Sequence, residues 1–553
     1  MRKLFIALIC LCLVFVAGFA SYRGYKIWKQ KHLVNMARAF VAKSDSASAM
    51  LCLRQALQSN PNNLEACRMM ADFLDRARSP QAVVWRHRVL DLEPDSLTNR
   101  LALARTAISV GDAAQAQTTL DGVDEEGRKT GAYQKLAAAA DVLAGRLSEA
   151  EAHFSEAARL EPADPLVQLN LATLRLQRTN AEMAAEARMA LQGLRTNPAV
   201  RCEALRHLTQ DALHNTNQNG ALALSQELIQ ESNSVFSDRM LHLDLLGVSS
   251  TAQQSAFLVE LQQESANHPV KAYEVAKWML AGAKPEAALS WLKSLPPITR
   301  TNLPVPVIEA DCYMAVKDWS SLQSRLGGQN WLDLDCLRLA CRARTFKEQG
   351  SATSARTEWN AALKAAGTRR DLLAQLLNTT TAWKWAHEQE DVLWAIASQY
   401  PTEKSVIQAL SERLFVTGKT RSLQKLYSLA LQNDADNPAF MNNLAMTALL
   451  LESWEKKPHE LAREAYTRVS TNASYASTYA YSLLVQHKRA EALQTIEQLP
   501  PQQLESPSIA ACYGLILKAS GDSAKAVRYL ELASKGRLLP EEKELVAQAR
   551  RGI

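Results

Sequence analysis

The stretch SEAEAHFSEAARLEPADP, Ser148–Pro165, places Ala150, Phe154, Ala157 and Pro162 at successive intervals of four, three and five residues. Intervals of four and three keep three side chains on one helical stripe, and a proline beyond them cannot continue a helix interior. The same spacing recurs upstream as Ala49, Leu53, Ala56 and Pro61 in SAMLCLRQALQSNP, and as Ala82, Arg86, Val89 and Pro94 in AVVWRHRVLDLEP. Working outward from Ala150, the alanines at 49, 82, 116, 150 and 184 are separated by 33, 34, 34 and 34 residues. A second series, Ala71, Ala104, Ala138 and Ala172, keeps the same period.

Two series of small residues with one period describe two helices per unit that cross closely, because only a small side chain lets two helix backbones approach. Ala138 on the first helix (A) and Ala150 on the second (B) take that crossing. Phe154, one turn beyond, fills the space toward the next unit. Gly111 in SVGDAAQA and Gly145 in LAGRLSEA fall at the A–B turn, where a positive φ costs glycine little. A 34-residue helix–turn–helix period is a solenoid pattern.

On these residues the chain resembles the tetratricopeptide repeat family, clearly over about residues 35–200 and more faintly beyond. The later echoes are Ala221 and Leu228; Ala287, Trp291 and Pro296; Gly350, Ala355, Trp359 and Ala362; Gly418, Leu423, Tyr427 and Ala430; and Gly514, Gly521, Ala526, Leu530 and Ala533. PEEKELVAQARR offers a charged closing helix, as the exposed end of a solenoid requires. LLLESWEKKPHELAREAY carries about five extra residues, which predicts a longer A–B loop near Lys457. The fold expected is all-α: an α-solenoid of tetratricopeptide-like helix–turn–helix repeats with an N-terminal transmembrane helix. Its parts are an anchor with basic flanks at 1–31, clear repeats at 32–200, divergent helical repeats at 201–349, C-terminal repeats at 350–539 and a capping helix at 540–553.

Composition agrees with this reading. A chain of 553 residues exceeds what one core organises, and only 20 glycines occur in it. The 63 basic and 57 acidic residues are interleaved, which disfavours a nucleic-acid stripe. Nine cysteines are scattered without CxxC spacing and read as small buried hydrophobes, neither a disulfide framework nor a metal set.

The amino terminus reads differently. MRK precedes Leu4–Tyr22, nineteen residues without a charge. At 1.5 Å per residue they span about 28 Å, near the roughly 30 Å hydrocarbon core. A cleavable signal peptide competes, with small residues at Gly18 and Ala20. Arg23, Lys26, Lys29 and Lys31 with Tyr22, Tyr25 and Trp28 directly behind the segment favour a retained single-pass anchor in the cytoplasmic (inner) membrane. The soluble part is then placed in the periplasm or otherwise outside the cytoplasm, as in most single anchors of this kind in bacteria.

Catalytic motifs are nearly missing. VTGKT, Val416–Thr420, holds the end of a P-loop, but Arg413 stands where that loop needs glycine, and Gly418 reads as an A–B turn. His207, Asp211 and His214 share a helical face without a second cluster to complete a zinc site. No enzyme activity, cofactor or metal is expected. Trp278, Trp291, Trp359, Trp383, Trp385 and Trp394 read first as inter-helix core, and as a polysaccharide platform only if they face the groove.

The groove itself is formed by the A-helices of a curved stack. The family resemblance implies that Arg68, Arg105, Lys135, Asn170 and Asn443 line it, the asparagines matching the family's groove amide, which can bond both backbone groups of a bound strand. The basic residues would favour acidic groups. The function expected is a membrane-anchored, non-catalytic scaffold for protein or peptide partners in cell-envelope assembly or secretion. The alternative is a polysaccharide- or polymer-binding envelope protein.

Overall fold

The computed structural model describes residues 25–26, 28–43, 45–178 and 180–552. Among these residues every regular element is helical. The contacts divide the chain into two units, the break falling between Glu264 and Ser265. The apolar segment Leu4–Tyr22 lies outside the described residues, and no described helix is long and apolar enough to cross a membrane.

In the first unit, A-helices Leu64–Arg76, Leu97–Ser109, Gly131–Leu143, Pro165–Leu176 and Arg201–His214 alternate with B-helices Gln81–Leu92, Ala113–Asp121, Leu147–Leu160, Ala181–Leu194 and Gln218–Leu228. Their starts follow from the sequence. Asn63, Asp112, Asp164 and Asn180 cap free helix N–H groups with their side chains, and Pro165 occupies the first turn, where no N–H is needed. The alanines at 49, 82, 116 and 150 and those at 71, 104 and 138 are fully buried, so both periodic series lie in the helix crossings. Phe154 packs with Ala138, Ala150 and Leu174, the last from the A-helix of the following unit. The aromatic thus fills the predicted gap.

The equivalent slot one pair of units earlier is polar. Arg86 occupies the position of Phe154, and its guanidinium pairs with Asp72 at 2.7 Å and with Asp75. Asp75 also accepts 2.7 Å from the Thr106 hydroxyl, on the next A-helix, where the later unit has Leu174. The same joint is therefore made once by apolar packing and once by an ionic relay.

The second unit repeats the plan with A-helices Val305–Val316, Asp335–Glu348, Arg370–Ala382, Lys404–Val416, Pro438–Leu450, Ala473–Val485 and Pro507–Ala519. Ala355, Trp359 and Ala362 are buried as expected, as are Ala526, Leu530 and Ala533. Gly514 is needed for contact: a Cβ there would meet the Leu530 side chain at 2.8 Å and its backbone N at 3.2 Å. One echo is out of register by a residue. Ala288 and Leu292 are the fully buried pair of helix Pro285–Ser294, whereas Ala287 is exposed and Trp291 only half-buried. Two adjacent alanines made the phase ambiguous, and apolar Leu289 and Leu292 settled it in packing.

Gly418 sits at φ +67° between helices Lys404–Val416 and Thr420–Asn433, which places VTGKT in a helical turn. Residues 451–457, including a short 3₁₀ turn and Lys457 at φ 50°, form the long A–B connection expected there. The C-terminal helix Pro540–Arg551 packs on helices Pro507–Ala519 and Ser523–Ser534. Its first residues also reach back: Glu541 accepts a hydrogen bond from Thr420, and Pro540 lies against Gly418.

Candidate functional site

The A-helices carry a recurrent basic residue that is already engaged. Arg68 pairs with Glu93 at 2.5 Å, and Asn99 of the next A-helix donates to the same carboxylate at 2.9 Å. Lys135 Nζ lies 2.7 Å from Glu161 and 3.1 Å from Asp164, the residue that caps helix Pro165–Leu176. The hydrogen bond to Glu161 pushes the Lys135 ammonium pKa above its ordinary value. Burial works to raise the Asp164 carboxyl, but Lys135 and the Leu166 N–H hold it below the usual range. Arg206 and Asp238 repeat the arrangement bidentately, with both contacts at 2.8 Å, and Arg38 pairs with Glu65. In the second unit Arg370 and Glu403 do so at 2.7 and 2.8 Å. Each pair ties an A-helix to the start of the following repeat.

Arg68 and Lys135 are therefore inter-repeat stitches as well as A-helix cations. Arg105 is different: it is exposed and its side chain has no hydrogen bond or ion pair with another described residue. Asn170 is half-buried on helix Pro165–Leu176, its side-chain amide likewise without a hydrogen bond among the described residues. These four lie on four A-helices of the first unit. Asn443 belongs to the second unit and lines a cavity of about 200 Å³ with Tyr427, Asn442, Ser477, Leu539 and Glu542. The structure does not gather the five into one pocket.

Residues 87–140 match the tetratricopeptide repeat family. The matched segment contains Arg105 and Lys135 and both helices of the Leu97–Asp121 repeat. No curated protein matches the chain. Among solved structures, PilW, a widely conserved type IV pilus biogenesis factor, is 16% identical at a TM-score of 0.32, covering 37% of this chain and 96% of that one. Pseudomonas aeruginosa pilF is 13% identical at 0.32, covering 40% and 99%. A tetratricopeptide repeat protein from Parabacteroides merdae is 16% identical at 0.30, covering 52% and 99%.

Other candidates resolve by geometry. Asp211 is held bidentately by Arg188 at 2.6 and 2.9 Å and accepts from Asn215, so it is not shared with His207 and His214. Burial lowers the His207 pKa, and no group of three or more metal-holding side chains occurs among the described residues. Sequence reasoning missed the cavity beside them, about 680 Å³, lined by Gln177, Arg178, Arg188, His207 and His214. It joins residues from three helices, and the only sequence signal was the polar face of helix Arg201–His214.

The tryptophans are mostly packing residues. Trp359 and Trp385 are buried and meet edge to face, with ring centroids 6.3 Å apart. Trp383 and Trp394 pack against the same core. Arg344 lies over Trp383 and Lys347 over Trp385, at 4.8 and 4.1 Å from the ring centroids. Cations cover ring faces that a sugar would need.

Proposed function

We propose that this protein is a non-catalytic scaffold that binds protein or peptide partners along the A-helix face of its first unit. The observation that carries the reading is Arg105: an exposed guanidinium without an internal partner, on an A-helix, inside the segment that matches the tetratricopeptide family. A cation that stabilises nothing within the fold is available to an acidic side chain or carboxylate terminus. Asn170 adds an amide on the same helix series. The apolar run Leu4–Tyr22 with its basic edge supports tethering to the cytoplasmic membrane, the helical part lying outside the cytoplasm in envelope assembly or secretion.

Photo-crosslinkers placed at Arg105 and Asn170 are expected to trap a discrete partner in native membranes. The same probes at Thr118 and Glu149, exposed on B-helices, should not. Equal adducts from both sets would remove the A-helix face as the binding surface. Arg105→Glu should leave the helical signal and melting temperature unchanged while weakening an acidic partner at least tenfold, about 1.4 kcal/mol. Deleting residues 4–22 should release the protein from the membrane fraction; persistence there would refute the tether.

A further inference from the structure

The cavity of about 200 Å³ beside Asn443 has a built interior that the groove reading does not use. It is lined by side chains from four successive A-helices, from helix Thr420–Asn433 and from the C-terminal segment, and Glu541 and Pro540 fasten that segment to Thr420 and Gly418. The lining includes Phe415, Leu423 and Ile509 as apolar walls and no lysine, arginine or histidine.

Five of its polar residues are more than nine-tenths buried, Asn442, Thr447, Ser477, Thr478 and Glu542, and two of these matter here. Asn442, 5% exposed, donates through Nδ2 to Asn443 Oδ1 at 3.1 Å, while its own Oδ1 is buried without a hydrogen-bond partner. Glu542, 7% exposed, accepts one hydrogen bond from the Leu539 N–H at 2.8 Å and has no cationic partner among the described residues. Burial, with the neighbouring Glu541 carboxylate, pushes its carboxyl pKa up. Two of the neighbouring hydroxyls have spent their protons on helix carbonyls: Thr447 donates to Asn443 O and Thr478 to Ser474 O. The lining also holds the hydroxyls of Tyr427, Ser474, Ser477 and Ser508, but its unmade acceptor is Asn442 Oδ1 and its one carboxyl, Glu542, faces no lysine, arginine or histidine among the lining residues. A buried acceptor left unmade costs about 1–3 kcal/mol, so such a lining is complementary to a ligand rich in N–H donors.

We propose that this cavity binds a primary alkylammonium group, its head bonded by Asn442 Oδ1 and the Glu542 carboxylate and its methylenes against the apolar wall. The volume equals roughly six or seven liquid waters at about 30 Å³ each, which suits a four-carbon amine stem and excludes a folded peptide. The group comes either from a free small amine or from a lysine side chain presented by a partner. The site does not depend on the scaffold reading, since all its members lie between Phe415 and Glu542.

The test is calorimetric titration of the full chain with n-butylammonium and with Nα-acetyl-lysine methylamide, using n-butanol and butyrate as controls. Saturable binding of either ammonium, with none of the alcohol or the carboxylate, is expected. Binding of the free amine assigns small amines as a source, and binding of the lysine derivative alone assigns a protein lysine. Glu542→Gln, which keeps an acceptor for the Leu539 N–H, should weaken binding at least tenfold. Asn442→Asp, which adds a carboxylate in the same shape, should tighten it at least threefold. Failure of both ammonium probes to saturate, or the same affinity in wild type and both variants, overturns the proposal. Loss of Arg105-dependent partner binding would leave it standing, because the two readouts use different units.

Discussion

The two units bury their apolar residues differently. Upstream of Glu264 the buried side chains fall into separate clusters, such as the one around Leu101, Ala116 and Tyr133 and the one around Ala150 and Phe154. From Cys336 to Ala549 most of them belong to one cluster, with Ala355, Met441 and Ala462 among those outside it. Both units pair charges across repeat joints, Arg370 with Glu403 in the second, but the second also buries carboxyls that lack such a pair. Lys135 in the first unit is paired with Glu161 and Asp164 across a repeat joint. In the second, Asp311 and Glu542 are carboxyls raised by burial, each without an ion pair among the described residues. A solenoid whose neighbours are joined one by one should lose repeats singly, whereas a continuous core should resist and then fail together.

The largest effects test that contrast directly. Phe154→Ala and Trp359→Ala should each cost about 3–5 kcal/mol, as buried aromatic truncations do. Hydrogen exchange should localise the first loss to the flanking helices of residues 131–176 and spread the second through residues 336–549. Equal spread in both variants would erase the distinction between the units.

Next comes pH. Burial holds the Asp311 carboxyl at about 6, with Arg344 pulling the other way. An acid raised in the folded state binds more protons there than in the unfolded chain, so stability falls as pH rises from its ordinary value of 3.8 to about 6. Asp311→Asn should remove that slope and gain up to about 3 kcal/mol at pH 7. Parallel denaturation curves for wild type and variant from pH 3.5 to 7.5 would contradict it. Lys135 gives a slope of the same sign in a far more alkaline window. Its raised pKa stabilises below the unfolded value of 10.5, and that contribution disappears as pH climbs through the folded value.

Smaller effects separate the two kinds of joint within the first unit. Arg86→Ala strips the half-buried Asp75 of its cation and should cost about 1–3 kcal/mol by denaturant unfolding. Lys135→Ala breaks a pair whose partners are about one-third exposed, and should cost less than about 1 kcal/mol. A larger loss at Lys135 than at Arg86 would reverse the ranking of ionic joints by burial.

Much of this was legible in the amino-acid order. The periodic alanines are buried, Phe154 meets the next A-helix, and Gly418 turns a helix pair rather than cradling a phosphate. Those features are local, because a side chain three or four residues away, or one repeat away, decides them. The Ala287–Trp291 phase failed because neighbouring alanines make two registers nearly equivalent until Leu289 and Leu292 choose a side. Arg68 and Lys135 were legible as A-helix cations, but their acidic partners are 25 and 26 residues away, in the connections between repeats.

The sequence by itself determined the helix pairs, their caps and the small residues that let them cross, since each depends on contacts between neighbours in a short stretch. Only the tertiary structure decided that Glu541 meets Thr420 across 121 residues and that Leu539 and Glu542 line one cavity with Asn442. That meeting depends on the accumulated rotation of several repeats, a sum of small angles that no single repeat encodes.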